Sequence, residues 1–361
     1  MAELLKDMYN YQSLRELAAD IQSVYQPFRA DEFLESVMDN EWNDLELKAR
    51  VRKISLNLGS YLPTDYKEAL AVLDQVAADC SSGFFGILFP DFVEVYGQDE
   101  EHWDLSIEAL ARYTPYSSSE FAVRPFIIHH EERMMAQMYA WSKDENEHLR
   151  RLASEGCRPQ LPWGQALVSF KRDPTPILPI LEQLKADPSP YVRKSVANNL
   201  NDISKTHPEL VAKLAKDWYG KNEYTNWIVK HGCRTLLKKG NREVLAIFGY
   251  HDTDSIDVNS FELDTASIAI GGALHFSFDI LAKEETKVRL EYAVDYVKAS
   301  GKRSRKLFQI SELSLDKDEK KSYRKKHSFA DLTTRKHYPG THTITLIVNG
   351  SQRCTGDFEL T

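Results

Sequence analysis

Cysteine is scarce in this 361-residue chain, with four copies at 80, 157, 233 and 354. They lie far apart and never in CxxC spacing, which argues against a zinc ribbon or a disulfide framework and fits a reducing compartment. No apolar run approaches the roughly 18 residues a membrane helix needs, and the longest bulky one, FFGILF, stops at Pro90. The opening MAELLKDMYNYQ mixes charge with apolar groups and lacks the apolar stretch of a secretory leader. A cytoplasmic protein with no membrane partner is therefore expected. GxGxxG, P-loop, HExxH and GxSxG patterns are all missing. Histidines are scattered, with His129 and His130 as an adjacent pair. Neither a metal nor a cofactor is expected. Low Gly and Pro (16 and 14 residues) rule out collagenous and low-complexity classes.

Charge is present but uneven. The formal net charge is -8. Residues 1–142 hold 11 Lys/Arg against 25 Asp/Glu, and residues 143–250 hold 18 against 12. Residues 298–337 carry 13 basic and 5 acidic groups. Screening confines each charge to about 8–10 Å, so an acidic whole neither predicts nor excludes nucleic-acid binding.

Periodicity divides the chain. Through residues 1–250, segments such as LELKARVRKISLNL and DYKEALAVLDQVAADC place apolar groups three and four apart, predicting helices with breaks at Pro27 and Pro63. DENEHLRRLASEGC (144–157) aligns with DPSPYVRKSVANNL (187–200) at an offset of 43, within the spacing of HEAT-type helical repeats. From 251 to 361 the period changes to two, in LHFSFDI, KVRLEYAVDYV and HTITLIVNG, and Asn349-Gly350 marks a turn. The expected fold is mainly α, a HEAT-like helical-repeat solenoid over 1–250, followed by an all-β immunoglobulin-like sandwich over 251–361. With no Cys…Trp…Cys pattern in the tail, an antibody-like disulfide core is excluded.

The helix of SPYVRKSVANNLND has a good N-cap in Ser189 and Pro190 at its first position. Val192, Val196, Leu200 and Ile203 make a buried stripe. Ser195, Asn198, Asn199 and Asp202 share the other side, either as a recognition face or as a plain solvent-facing stripe. In the aligned helix Arg151, Glu155 and Arg158 share a face, as a binding surface or as an internal ion pair of Glu155 with either arginine. Gly156 inside that helix costs about 1 kcal/mol against Ala, which close packing or a nearby ligand explains. In RPQLPWG the prolines put Trp163 on a loop, where it plugs the core or stacks on a base, sugar or cation. Ser117-x-x-Glu120 matches a capping box, and Glu120 is also a free carboxylate candidate.

RRLASEGCRPQLPW, YVRKSVANNLNDISK and the upstream SSSEFAVRPFI together resemble the AlkC branch of the AlkC/AlkD DNA alkylation-repair glycosylases. The tail resembles the immunoglobulin-like domain some members of that branch carry. The resemblance implies excision of cationic N-methylated bases, 3-methyladenine and 3-methylcytosine, without flipping the base into a deep pocket. It implies a monomer acting on double-stranded DNA that carries alkylated bases.

Carried over residue by residue, the resemblance implies Glu120, Glu155 and Asp202 as active-site carboxylates and Trp163 as their aromatic partner. Arg151, Arg158, Arg193, Lys194, Asn198 and Asn199 would line or flank DNA, Arg193 more weakly because it shares with Arg150 a position often used between repeats. In the tail, Lys320, Lys321, Arg324, Lys325 and Lys326 are candidate phosphate contacts or a solvated edge strand. The rival reading is a non-catalytic HEAT-repeat scaffold that binds DNA or protein.

Overall fold

A computed structural model describes residues 4–80, 83–251, 253–332 and 335–361. The chain forms two compact units, Met1–Thr206 with Gly220–Gly232, and His207–Tyr219 with Cys233–Thr361.

The first unit is helical. It holds α1 (Tyr11–Val24), α2 (Ala30–Val37), α3 (Leu47–Tyr61), α4 (Tyr66–Cys80), α5 (Leu88–Tyr96), α6 (Trp103–Tyr113), α7 (Val123–His129) and α8 (Glu131–Trp141). There follow α9 (Glu147–Gly156), α10 (Val168–Arg172), α11 (Leu178–Leu184) and α12 (Pro190–Ile203). After α13 (Pro208–Trp218), which belongs to the second unit, comes α14 (Glu223–Gly232). Pro27 and Pro63 fall between helices, as their missing N–H groups require.

The 43-residue offset has a structural counterpart. Arg150 Nη1 donates to the carbonyls of Asp144 (3.0 Å) and Glu145 (2.8 Å), and Arg193 Nη1 donates to those of Asp187 (2.9 Å) and Pro188 (2.7 Å). Each arginine folds back onto the loop that starts its own helix. Arg150 also pairs with Asp187 at 2.7 Å, tying one segment to the next. Ser189 does stand at the N-cap of α12 with Pro190 behind it, but its hydroxyl donates to Glu147 rather than capping its own helix. Gly156 is explained by packing: a Cβ there would lie 2.7 Å from Val123 Cγ2 and 2.9 Å from Met138 Cε.

The second unit holds α13, α15 (Arg234–Lys238), α16 (Arg242–Ile247) and the strands β1 (Ile256–Leu263), β2 (Ser267–Ile268), β3 (Ala273–Ala282), β4 (Thr286–Val297), β5 (Arg303–Leu315), β6 (Lys320–Ser328), β7 (Gly340–Val348) and β8 (Ser351–Leu360). One sheet runs β1-β3-β6 and the other β2-β8-β7-β4-β5. Leu274, Phe276, Phe278 and Ile280 of β3 and Val288, Leu290, Tyr292 and Val294 of β4 share the buried core the two sheets enclose. The β7–β8 turn has Asn349 at φ 47° and Gly350 at φ 79°, the left-handed pair a two-residue hairpin needs. Gly350 lies so close to Gly240 that a Cβ would sit 2.9 Å from the Gly240 Cα. No helix among the described residues is long and apolar enough to cross a membrane.

Candidate active site

α12 packs against both α9 and α14, so it buries two faces instead of one. That overturns the simple picture of its polar stripe as an exposed recognition surface. Ser195 Oγ meets Ser154 Oγ at 2.6 Å, and Asn199 Nδ2 donates to the Ser154 carbonyl at 2.8 Å. Asn199 is fully buried, so its place is between helices and not on a DNA-facing surface. Arg193 is likewise committed, to its own loop carbonyls and to the Tyr224 ring, 4.1 Å away. Asn198 is half-buried and Lys194 is exposed.

The other side of α9 carries an unbroken run of opposite charges. Glu120, in the turn before α7, accepts from Arg151 Nη1 and from Ser118 Oγ (2.9 Å). Arg151 Nη2 lies 3.7 Å from Glu155 Oε1, which also accepts from Arg158 Nη1 at 2.6 Å. Arg158 Nε donates to Asp202 Oδ2 at 2.8 Å, and Asp202 Oδ1 accepts from Lys205 Nζ at 2.8 Å. Three carboxylates thus alternate with three cations through the helices. Glu155 engages both arginines, so both pairings considered from sequence form at once. Ser117 does not cap a helix through Glu120; its hydroxyl donates to the Gly83 carbonyl at 2.7 Å. Pro125 is the third residue of α7, where the N–H it lacks has no intrahelical partner anyway.

Burial opposes charge on Arg151 and Arg158. The neighbouring Glu120 and Glu155, and Glu155 and Asp202, outweigh it and hold both guanidinium pKa values above the ordinary one. The carboxylates differ in what they leave open. Asp202 uses both oxygens. Glu120 and Glu155 each use one, leaving Oε1 of Glu120 and Oε2 of Glu155 without a hydrogen bond from the described residues.

Trp163 is 59% exposed, so it does not plug the core. It stands on the loop after α9 with φ at 62°, a conformation bulky residues rarely adopt, and its ring meets that of Phe84 at 6.1 Å. Lys48 of α3 donates to the Trp163 carbonyl at 3.1 Å and lies 4.6 Å above the Phe121 ring, so it links this loop to the residue after Glu120.

Sequence reasoning missed Lys48, Lys205, Tyr191, whose ring lies 5.1 Å from the Arg151 guanidinium, and the buried Arg124. Arg124 had a signal: a lone charge among Val123, Phe126 and Ile127 on an apolar helix face. Of the tail candidates, Lys320 pairs with Asp279 at 2.9 Å and Lys321 with Glu319 at 3.3 Å. Arg324, Lys325 and Lys326 form no ion pair among the described residues, and β6 is an edge strand paired only with β3. Donor atoms close enough to share a metal ion occur, among the described residues, at Asp99, Glu101 and His102, apart from every sequence candidate.

Comparison with known proteins gives this geometry a context. A family model described as "DNA alkylation repair enzyme" matches residues 114–236, which include Glu120, Glu155, Trp163 and Asp202. A second, described as "Uncharacterised protein YhaZ, C-terminal Ig-like domain", matches residues 257–361. The "Uncharacterized protein YhaZ" of Bacillus subtilis (strain 168) is 50% identical over 356 residues, 99% of each chain. The solved structure of the Pseudomonas fluorescens alkylpurine DNA glycosylase AlkC bound to DNA containing an abasic site analog aligns at a TM-score of 0.95 and 38% identity, covering 99% of this chain and 100% of that one. The chain belongs to the AlkC branch of the DNA alkylation repair enzymes and carries the YhaZ-type immunoglobulin-like domain at its C-terminal end.

Proposed function

We propose that this protein is a DNA N-glycosylase that hydrolyses the bond between deoxyribose and a cationic N-methylated base, 3-methyladenine or 3-methylcytosine. The observation that carries the reading is the run Glu120–Arg151–Glu155–Arg158–Asp202–Lys205, whose two glutamates each keep one oxygen free of hydrogen bonds from the described residues.

Methylation of a ring nitrogen puts a positive charge on the base and weakens the glycosidic bond. Bond breaking moves that charge onto the sugar as an oxocarbenium ion, and the base leaves neutral. Such a leaving group needs no strong acid. The sugar needs fixed negative charge and a water to add to it. The arginines hold Glu120 and Glu155 in place before substrate arrives, so no reorganisation is spent at the moment of reaction. Their open oxygens face the cationic sugar and orient the water. Asp202, nearly inaccessible and with both oxygens engaged, contributes its field and fixes Arg158. The exposed Trp163 ring lies against the deoxyribose, whose polarised C–H groups carry part of the charge. The AlkC relative, solved on DNA containing an abasic site analog, supports the substrate class. The base stays outside any deep pocket.

Residues 1–250 form the glycosylase domain in this reading, and 251–361 the immunoglobulin-like one, which holds DNA through Arg324, Lys325 and Lys326 of the edge strand β6. Incubating the protein with duplex DNA containing 3-methyladenine, and separately 3-methylcytosine, tests the proposal. Free base appears in both cases if it holds. A scaffold that only binds DNA leaves the base attached.

A further inference from the structure

The loop that carries Trp163 is held from beneath by side chains of two distant helices. Arg124 of α7 is fully buried, and its guanidinium forks between the carbonyls of Gly156, at 2.8 Å, and Gln165. Those two carbonyls bracket the Trp163 loop. Arg124 Cδ lies only 3.3 Å from where a Cβ on Gly164 would be, so the arginine runs directly against the residue after the tryptophan. The Trp163 carbonyl itself accepts from Lys48 Nζ at 3.1 Å. Within the loop, Gly164 N–H donates to Leu161 and Leu167 N–H to Pro159.

Arg124 is costly to hold there. Among the described residues it makes no ion pair and its Nη2 has no hydrogen-bond partner. Burial, helped by the nearby charge of Arg158 and outweighing the opposing pull of Cys157, Glu120 and Asp202, pushes its pKa down to about 10. A planar fork is nonetheless what two carbonyls nine positions apart in sequence require, and lysine cannot supply it. The Trp163 ring, meanwhile, has room to move. A groove of about 650 Å³ opens beside it, lined by Leu4, Leu5, Leu47 and Lys48. A bulky residue at positive φ keeps that conformation only when its surroundings over-determine it.

We propose that Lys48 and Arg124 are positioning residues for Trp163: together they pin the loop backbone on both sides of the ring and keep the ring out of the adjacent groove, at the place where it meets the sugar. This rests on the reading of Trp163 as the aromatic contact of the site. Neither cation touches the substrate in the reacting step; both act through the indole.

The test begins with no substrate at all. Full-length protein labelled with 5-fluorotryptophan gives six fluorine resonances, one per tryptophan, and the line lost in Trp163→Phe is that of Trp163. In Lys48→Met, an exposed site where folding is not at risk, and in Arg124→Lys, that line shifts or broadens while the other five hold. Base release under single-turnover conditions falls about tenfold in Lys48→Met, since small misplacements of a reacting contact are expensive. In a Trp163→Phe background the same change lowers the rate no further. An unmoved Trp163 line in both variants overturns the proposal. So does a loss from Lys48→Met that is as large without the indole as with it. If the wild-type protein releases no base, the glycosylase reading fails, and the fluorine spectra still decide the clamp.

Discussion

Arg158 and Asp202 are 44 residues apart in sequence, yet Arg158 Nε donates to Asp202 Oδ2 at 2.8 Å. The same guanidinium reaches Glu155 through Nη1 at 2.6 Å. One buried cation thus bridges two buried carboxylates and joins α12 to the end of α9.

Removing that cation leaves Glu155 to Arg151, at 3.7 Å, and Asp202 to Lys205, at 2.8 Å. Truncating one partner of a buried pair costs about 3–5 kcal/mol where the remaining charge loses its compensation, and the cations left beside Glu155 and Asp202 bring the cost toward about 3 kcal/mol. Arg158→Met is therefore expected to lower the melting temperature of the helical unit by roughly 6–12 °C. Glu155→Gln keeps a hydrogen-bonding group in place and is expected to lower it much less. Calorimetry of the two variants checks this, and equal shifts would mean that the arginine carries no special share.

The alternation of apolar positions exposed both the helical part and the β-rich tail, and the 43-residue offset exposed the equivalence of Arg150 and Arg193. Their identical bonds to preceding carbonyls follow from local spacing, which a sequence displays. Glu155 paired with both arginines was legible for the same reason, at i−4 on α9 and at i+3 just past its end. Asn199 was misjudged because amphipathicity on a single helix does not reveal a second buried face, and α12 has one. Ser189 has the right residue type for a cap, yet Glu147, from another helix, takes its hydroxyl. Lys48 and Arg124 were invisible as loop supports because their partners are backbone carbonyls far along the chain, and a carbonyl has no residue identity to read.

Trp163 provides a test of strain. Its left-handed backbone penalises any residue with a Cβ, and glycine escapes that penalty. Since the ring is largely exposed, little burial is lost on truncation. Trp163→Gly is expected to be more stable than Trp163→Ala by about 1 kcal/mol in urea denaturation. Both are expected to slow base release. Equal stabilities would mean that the loop relaxes out of the left-handed region without its indole.

In the immunoglobulin-like unit, His327 lies between the hydroxyls of Tyr292 (2.9 Å from Nδ1) and Tyr296 (2.7 Å from Nε2). Arg335 donates to the Tyr296 oxygen at 3.0 Å. Burial, with help from the charge of Arg335, pushes the His327 pKa down to about 4. The unfolded chain binds a proton near pH 6.5 while the folded one does not, so stability is complete above that pH and falls as pH drops toward 4. The loss attributable to His327 is about 3 kcal/mol. Burial depresses His337 as well and acts in the same direction. Denaturation of wild type and His327→Gln at pH 7.5 and 4.5 checks this; the variant is expected to show the smaller difference, and an equal one would contradict it.

The basic strand offers a salt experiment. Each phosphate contact contributes about 0.9 to the slope of log affinity against log salt concentration. Neutralising Arg324, Lys325 and Lys326 is expected to flatten that slope by up to about 2.7. Neutralising Lys320 and Lys321, already paired with Asp279 and Glu319, is expected to change it little. If β6 is only a protected edge, the triple variant aggregates more readily and binds DNA with an unchanged slope.

The most direct test is the single-turnover rate of 3-methyladenine release from a defined duplex, measured for wild type beside Glu155→Gln and Asp202→Asn. Removing one preorganised charge typically costs about 10²–10³ in rate. Both variants are expected to lose rate in that range while DNA affinity stays within about threefold of wild type, since the charge acts on the transition state and not on the bound ground state. Wild-type rates in both variants, or no base release by wild type itself, would contradict electrostatic catalysis by this run of carboxylates.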